Sequence, residues 1–257
     1  MSNGPKSVIN LIKDLFMKFL FYFFILFSSL TQSLHAKSFS YDVYGLNIKF
    51  MEMNFVKKNN NNFSVEGHSK GLLDIFVQVE ANGETITNND KVDYKFHYQK
   101  KSKERTTLIS FQNQQVVKNI AVPPRSVAKN IIPIKKEDLV NVVDPLSSVD
   151  YLLFNQKNNL SCNKQIKVFD GSEVYLLSLS LLETKSKKIQ SSKLSYQGSL
   201  SSCRLSYKTI SGHEKKDEKK LNKMYVDIYF GKTNKDYIPY YLTNKSGLVT
   251  LKMFLRN

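Results

Sequence analysis

The stretch NKMYVDIYF, residues 222–230, carries the pattern that decides the fold. Its side chains form two alternating sets: Met224, Val226, Ile228 and Phe230 on one side, and Tyr225, Asp227 and Tyr229 on the other. Successive side chains of a β-strand point to opposite faces, whereas a helix would need apolar residues three or four positions apart. The stretch therefore predicts a β-strand with one face directed into a core.

The same alternation recurs on both sides of this stretch. Toward the N-terminus it predicts a long strand over 39–55 with a bulge at Gly45, and strands near 63–67, 75–80, 94–98, 106–111 and 116–122. Toward the C-terminus it predicts strands near 164–169, 173–182, 201–210, 237–243 and 248–255. These make about ten to twelve strands that follow one another closely, so neighbouring strands are expected to pair antiparallel.

One segment departs from the pattern and predicts a short helix. Asp144 suits the N-cap and Pro145 suits the first helical position of a helix that runs to about residue 154. The polar segment 211–220 is predicted to be a loop. The expected fold is mainly β, a single antiparallel curved sheet forming a barrel or half-barrel, with the helix across its open side; a two-sheet sandwich is the alternative.

The dipeptide Asp170-Gly171, which follows Phe169, predicts the tight turn of a hairpin. Asp170 is the residue most suggestive of catalysis, because it is polar within an otherwise apolar hairpin. The preferred interpretation is structural: its carboxylate accepts backbone N–H groups, and Gly171 adopts a positive φ. Asp144 is likewise interpreted as a helix cap.

The N-terminal segment has the three parts of a secretory signal. An apolar run at 19–30, FLFYFFILFSSL, follows Lys13 and Lys18 and precedes the small residue Ala36. We therefore expect residues 1–36 to be a signal peptide cleaved after about Ala36, with Met17 as an alternative start, and residues 37–257 to be a single β-rich periplasmic domain. The alternative is an uncleaved anchor that holds the domain at the inner membrane, facing the periplasm.

Cys162 and Cys203 are the two cysteines of the chain. An even pair in an exported protein predicts a disulfide, because the compartment is oxidising. The bond would close a loop of about 40 residues and contribute about 4 kcal/mol by chain entropy. Two free buried thiols are the alternative. Two cysteines without a nearby histidine pair cannot supply the four ligands of a structural zinc site, so no metal is expected.

The formal net charge of +16 comes mostly from lysines in polar runs. We interpret these runs as solvated loops, with attraction to an anionic membrane surface as the alternative, and expect no nucleic-acid partner. The histidines of the predicted domain, His68, His97 and His213, are well separated and are expected to be surface or strand-facing residues. No nucleophile, phosphate-loop or dinucleotide motif occurs, so no catalytic, cofactor or metal residues are predicted and the chain is not expected to be an enzyme.

Several short motifs, taken in order, resemble the bacterial exported domain-of-unknown-function 3108 family. They are YDVYGLNI at 41–48, DPLS at 144–147, Cys162, VFDG at 168–171, Cys203, and the strand pair at 226–240 with Ile238-Pro239 in its second strand. The resemblance would cover nearly all of residues 38–255. It implies a periplasmic β-rich domain, and it carries no established enzymatic activity to this chain.

Three functions remain open at this point. The first is a non-enzymatic binding or carrier module that holds an apolar, lipid-like envelope ligand against aromatic strand residues, with an entrance near the helix. The alternative is a structural or assembly factor that binds other envelope proteins through a strand edge or a basic face. The third is a hydrolase of an envelope polymer, which would need carboxylates that meet only in the folded chain.

Overall fold

The computed structural model describes residues 36–59, 61–70, 78–125, 130–246 and 249–256. Its strands are β1 (Lys37–Gly45), β2 (Ile48–Asn59), β3 (Asn62–Ser69), β4 (Val79–Asn88), β5 (Lys91–Lys100), β6 (Lys103–Gln112), β7 (Gln115–Val122), β8 (Lys164–Phe169), β9 (Val174–Lys187), β10 (Leu200–Ser211), β11 (Tyr225–Lys232), β12 (Tyr237–Ser246) and β13 (Val249–Leu255). Residues 1–35 of the predicted signal segment, Met17 among them, lie outside the described residues.

All thirteen strands belong to one antiparallel sheet in the order β7-β6-β5-β4-β3-β2-β1-β13-β12-β11-β10-β9-β8. Each half is a meander of sequence neighbours, and the halves join where β1 pairs with β13, with Tyr41 opposite Leu255. The predicted single antiparallel sheet is confirmed, and it is open, with β7 and β8 as its edges. The sandwich alternative was wrong.

The predicted helix is also confirmed. Helix α1 (Pro145–Val149) continues directly into a π-helical turn, Asp150–Phe154. Together they contact β3 and β4 in one half of the sheet and β8 and β12 in the other. Lys57 on β2 holds the helical segment by an ion pair to Asp150, with Nζ 2.7 Å from both carboxylate oxygens.

Aromatic rings fill the space between this helical segment and the sheet. Phe154 packs its ring 4.7 Å from the ring of Phe39, 5.3 Å from Phe55 and 5.6 Å from Phe63, measured between centroids. Tyr41, fully buried, donates from its hydroxyl to the carbonyl oxygen of Pro239 across the junction of the two halves. The aromatic residues of the strands therefore build a packed core in this part of the molecule.

Two local predictions were wrong. The long bulged strand over 39–55 is a hairpin, because Leu46 and Asn47 both have positive φ, 51° and 65°, and reverse the chain between β1 and β2. Two consecutive positive φ values are what a two-residue hairpin turn needs, and Leu rarely provides one. The polar loop predicted at 211–220 overlaps a second short α-helix, α2 (Lys215–Leu221). Of the strand predicted at 75–80, residues 75–77 lie outside the described residues.

Residues 140–143, called here the bridging segment, contact both edges of the sheet. On the β7 side, the N–H of Val142 donates to the carbonyl oxygen of Gln114 at 3.0 Å. On the β8 side, Val143 pairs with the strand twice, donating to Lys167 and accepting from Phe169 at 3.0 and 2.9 Å. The bridging segment precedes Asp144, so the helix N-cap is positioned between the two edges.

The predicted disulfide between Cys162 and Cys203 is present, with the two Cα atoms 5.5 Å apart. It ties the segment that enters β8 to the first part of β10, where Cys203 is fully buried. Within the part of the chain that the structure describes, no helix is both long and apolar enough to cross a membrane.

Candidate functional site

The turn between β8 and β9 is built around Asp170. Its Oδ1 accepts the backbone N–H groups of Ser172 and Glu173 at 2.8 and 2.9 Å, and Gly171 has a φ of +97°. The structural interpretation of Asp170 and Gly171 therefore holds. Gly171 is also needed for a close approach, because a Cβ at this position would lie 2.8 Å from a methyl carbon of Thr107 on β6.

Arg125, three residues beyond β7, fastens this turn to the sheet. Its guanidinium donates to the hydroxyl of Ser172 and, from Nη2, to the carbonyl oxygen of Asp170 at 3.2 Å and to Thr107 Oγ1 at 3.3 Å. The Asp170 carboxylate lies 3.7 Å from Nη1. The Nε of Arg125 is buried and has no hydrogen-bond partner within the described residues. This guanidinium is thus fixed in direction, with part of its donor capacity unused.

Arg125 also lines a groove at the end of β5 and β6. The groove has a volume of about 380 Å³ and is lined by Phe96, Tyr98, Lys103, Glu104, Arg105, Thr107 and Arg125. Three of these side chains are cationic and one is anionic. Among the described residues neither Lys103 nor Arg105 has a carboxylate within ion-pair distance, and the Nε of Arg105 is buried without a partner. The groove thus combines two aromatic rings with an excess of positive charge.

A buried histidine lies on the other side of the turn. His213 is fully buried and follows the end of β10, so the prediction of a surface or strand-facing residue was wrong for it. Its Nε2 lies 3.1 Å from Glu173 Oε2 and also contacts the hydroxyl of Tyr207, while its Nδ1 lies 3.0 Å from the carbonyl oxygen of Ser211. Burial raises the pKa of Glu173, and the nearby His213 opposes that shift. These groups satisfy one another, so they support the turn and leave no free nucleophile.

The helix N-cap beside the bridging segment is a second buried polar site. Asp144 is completely buried; its Oδ1 accepts the N–H of Ser147 at 2.9 Å, and its Oδ2 accepts the hydroxyls of Ser147 and Thr85 at 2.5 and 3.1 Å. Burial nevertheless raises the pKa of the Asp144 carboxyl. Pro145 occupies the first helical position as predicted. Asp144 is therefore a fully bonded structural carboxyl.

A larger cleft of about 550 Å³ opens next to this N-cap, where the sequence places the ligand entrance. Its lining is rich in amides and contains no lysine or arginine: Thr87, Asn89, Asp90, Val92, Phe111, Asn113, Gln114, Asn141, Val142, Val143, Asp144 and Ser147. Phe111 is almost completely buried, so its ring offers little surface to a ligand. The cleft is larger than the groove but lacks both its cations and its accessible rings.

The predicted site residues lie in two separate places, one next to the groove and one next to the cleft. Asp170 and Gly171 reach the groove through Arg125, whereas Asp144 lines the cleft beside the bridging segment and Pro145 follows it as the first residue of the helix. Phe169 is buried below the turn. Sequence reasoning missed Arg125 and Arg105, because each is one basic residue among many in a chain of net charge +16.

The chain was compared with protein-family models, with curated proteins and with solved structures, and nothing matched in any of the three. Within the described residues, no group of three or more histidine, cysteine, aspartate or glutamate side chains is placed to hold a metal ion.

Proposed function

We propose that this protein is a non-enzymatic binding module for an anionic amphiphile, a lipid-like molecule with an acidic head group, and that the groove is its binding site. The observation that carries the proposal is the juxtaposition of Lys103 and Arg105, which have no carboxylate partner among the described residues, with the rings of Phe96 and Tyr98. Binding sites for small amphiphiles are mostly apolar and have a few placed polar groups that fix orientation.

The division of roles within the groove follows from chemistry. Guanidinium groups bind carboxylates and phosphates by paired, charge-assisted hydrogen bonds, and Arg125 is already held in direction by the β8–β9 turn. The aromatic rings would contact the first part of the apolar chain. The core beneath the helical segment is packed with rings such as Phe55 and Phe154, so the ligand would lie in the rim groove and not deep inside the sheet.

The direct test is isothermal titration with dodecanoate, and with dodecanol as the uncharged probe of equal length. The expected result is that dodecanoate binds and dodecanol binds at least about tenfold more weakly, since a hydrogen bond to a charged group contributes roughly 1.5–3 kcal/mol. Arg105→Gln should weaken dodecanoate binding by a similar factor. Lys208→Gln, an exposed cation on β10, is the matched control and should bind as the parent does.

Equal binding of the two probes, or equal loss in the two variants, would show that the groove is not the anion site. Arg105 is the better position to change than Arg125, because Arg125 also holds the β8–β9 turn and its loss would alter the fold.

Export to the periplasm and membership of the exported 3108 family are parts of the same proposal. The disulfide supports export, because disulfides persist in oxidising compartments. Mass spectrometry of the N-terminus of the protein recovered from the envelope would test it. A mature start at Lys37 is expected, and an intact Met1 or Met17 would overturn cleavage after Ala36.

A further inference from the structure

Strand β7 is an edge of the sheet and carries exposed apolar side chains. Its one paired neighbour among the described strands is β6. Val117 is 61%, Ile120 39% and Val122 59% exposed. An edge strand presents backbone N–H and C=O groups to any second chain, and native proteins usually protect such edges with charges, prolines or covering segments.

Protection of β7 is limited to its beginning. The bridging segment reaches the strand at Gln115, which pairs with Val140. From Val117 to Val122 the strand contains one charged residue, Lys118, and the first proline, Pro123, comes after its end. A six-residue length of apolar edge is thus left uncovered by the described parts of the chain.

The orientation of this edge is fixed by contacts on its other face. Lys118, Ile120 and Val122 share one face, since they lie opposite Ser110, Leu108 and Thr106 at alternate positions of β6. Asn119 points to the opposite face, where its Nδ2 donates to the carbonyl oxygen of Gly171 at 2.9 Å. The β8–β9 turn therefore holds the strand with its apolar face turned outward.

We propose that β7 binds an extended segment of a second, net acidic protein by strand addition. Strand addition uses main-chain hydrogen bonds for affinity and alternate side chains for specificity, which matches an edge with side chains on one fixed face. The partner is expected to be acidic because this chain has a net charge of +16. Two copies of the chain would repel each other, whereas an acidic segment would be attracted and would pair with Lys118. This interaction is independent of ligand binding in the groove.

Fluorescence anisotropy with an end-blocked eight-residue peptide of alternating Val and Glu tests the proposal on the full chain. The peptide should bind, and its fully N-methylated version, which has the same charges and side chains but no backbone donors, should bind at least about tenfold more weakly. The double variant Ile120→Asn/Val122→Asn should weaken binding by a similar factor.

Ile86→Asn is the matched control. Ile86 is 37% exposed, close to Ile120, but it lies on β4 and is paired with Asn62 of β3 on one side and Asp93 of β5 on the other, so it presents no free strand edge. Circular dichroism should show that all variants remain folded. Equal binding of the N-methylated peptide would mean that charge alone attracts it, and no binding at all would remove β7 as a peptide site. Light scattering that finds dimers lost in the double variant would show that a second copy covers the edge; each of these outcomes overturns the proposal.

Discussion

The two edge strands of the sheet, β7 and β8, differ in how far other parts of the chain contact them. At β8, the bridging segment adds two backbone hydrogen bonds through Val143, and the disulfide at Cys162 anchors the chain just before the strand. At β7, the same segment makes contact only at the beginning of the strand, and Val117, Ile120 and Val122 remain exposed.

With β7 in its proposed role, this difference would separate stability from recognition within one sheet. Covalent and hydrogen-bonded restraints are concentrated around β8 and β10, where changes are expected to destabilise the fold. The β7 edge carries few restraints, so changes there should affect binding and solubility and leave the free energy of unfolding nearly unchanged. The predictions below test this separation, beginning with the largest expected effect.

Removal of the disulfide should lower the free energy of unfolding more than any other change. Cys162→Ser/Cys203→Ser releases a cross-link between residues 41 positions apart, for which chain entropy gives about 4 kcal/mol. Urea denaturation should show this loss, and hydrogen exchange should rise more in β8 and β10 than in β6 and β7. Equal rises in both halves would mean that the two edges share one set of restraints.

Asp144→Ala should cost about 2–3 kcal/mol, because it removes a helix cap and leaves the buried donors of Ser147 and Thr85 without their acceptor. Asp144→Asn keeps one oxygen for the Ser147 N–H and should lose much less. The comparison of urea midpoints measures both. A loss confined to the helix, with the β8 edge unchanged in hydrogen exchange, would argue against the bridging segment as a link between the edges.

Because of the same carboxyl, the free energy of unfolding should depend on pH, with a smaller effect than that of Asp144→Ala. Burial raises the pKa of Asp144 in the folded state, so its favourable contribution is complete below the ordinary carboxyl pKa and is lost as pH rises through the raised value. Relative to Asp144→Asn, the parent protein should therefore become less stable as pH rises above the ordinary carboxyl pKa of about 3.9. Parallel stability curves for the two proteins would contradict a raised pKa.

The smallest effect is expected at β7. Ile120→Lys/Val122→Lys should change the free energy of unfolding by no more than about 0.5 kcal/mol, because both side chains are exposed. The variant should also be more soluble, since charged residues on an edge oppose edge-to-edge pairing. A loss of several kcal/mol would show that this edge is buried by another part of the chain.

The sequence was most informative where local chemistry is strong. Asp144-Pro145 predicted the start of the helix and Asp170-Gly171 predicted the hairpin turn, because capping and positive φ depend on adjacent residues. The turn at Leu46-Asn47 was missed, since Leu at positive φ gives no sequence signal.

The candidate site was less predictable, because it is assembled from distant segments. The burial of His213 depends on Gly212, whose φ is +86° and where a Cβ would collide with the carbonyl oxygen of Ser172. Arg125 follows β7 in a segment predicted only as an extended connector, and its role depends on its contacts with the β8–β9 turn. Neither the contact between Arg125 and the turn nor the contact between Gly212 and Ser172 can be inferred from residue spacing, since each joins segments more than thirty-five positions apart.

The pairing of β1 with β13 places the two ends of the described fold side by side in the middle of the sheet, where Arg256 donates its backbone N–H to Ser40 at 2.8 Å. A circular permutant that joined these ends and began instead between β7 and β8 would convert the most distant contact of the chain into a local hairpin. Such a rearranged chain would have a lower contact order and should fold faster into the same sheet. The order of the two meanders in the amino-acid sequence can therefore be changed without changing the sheet that they form.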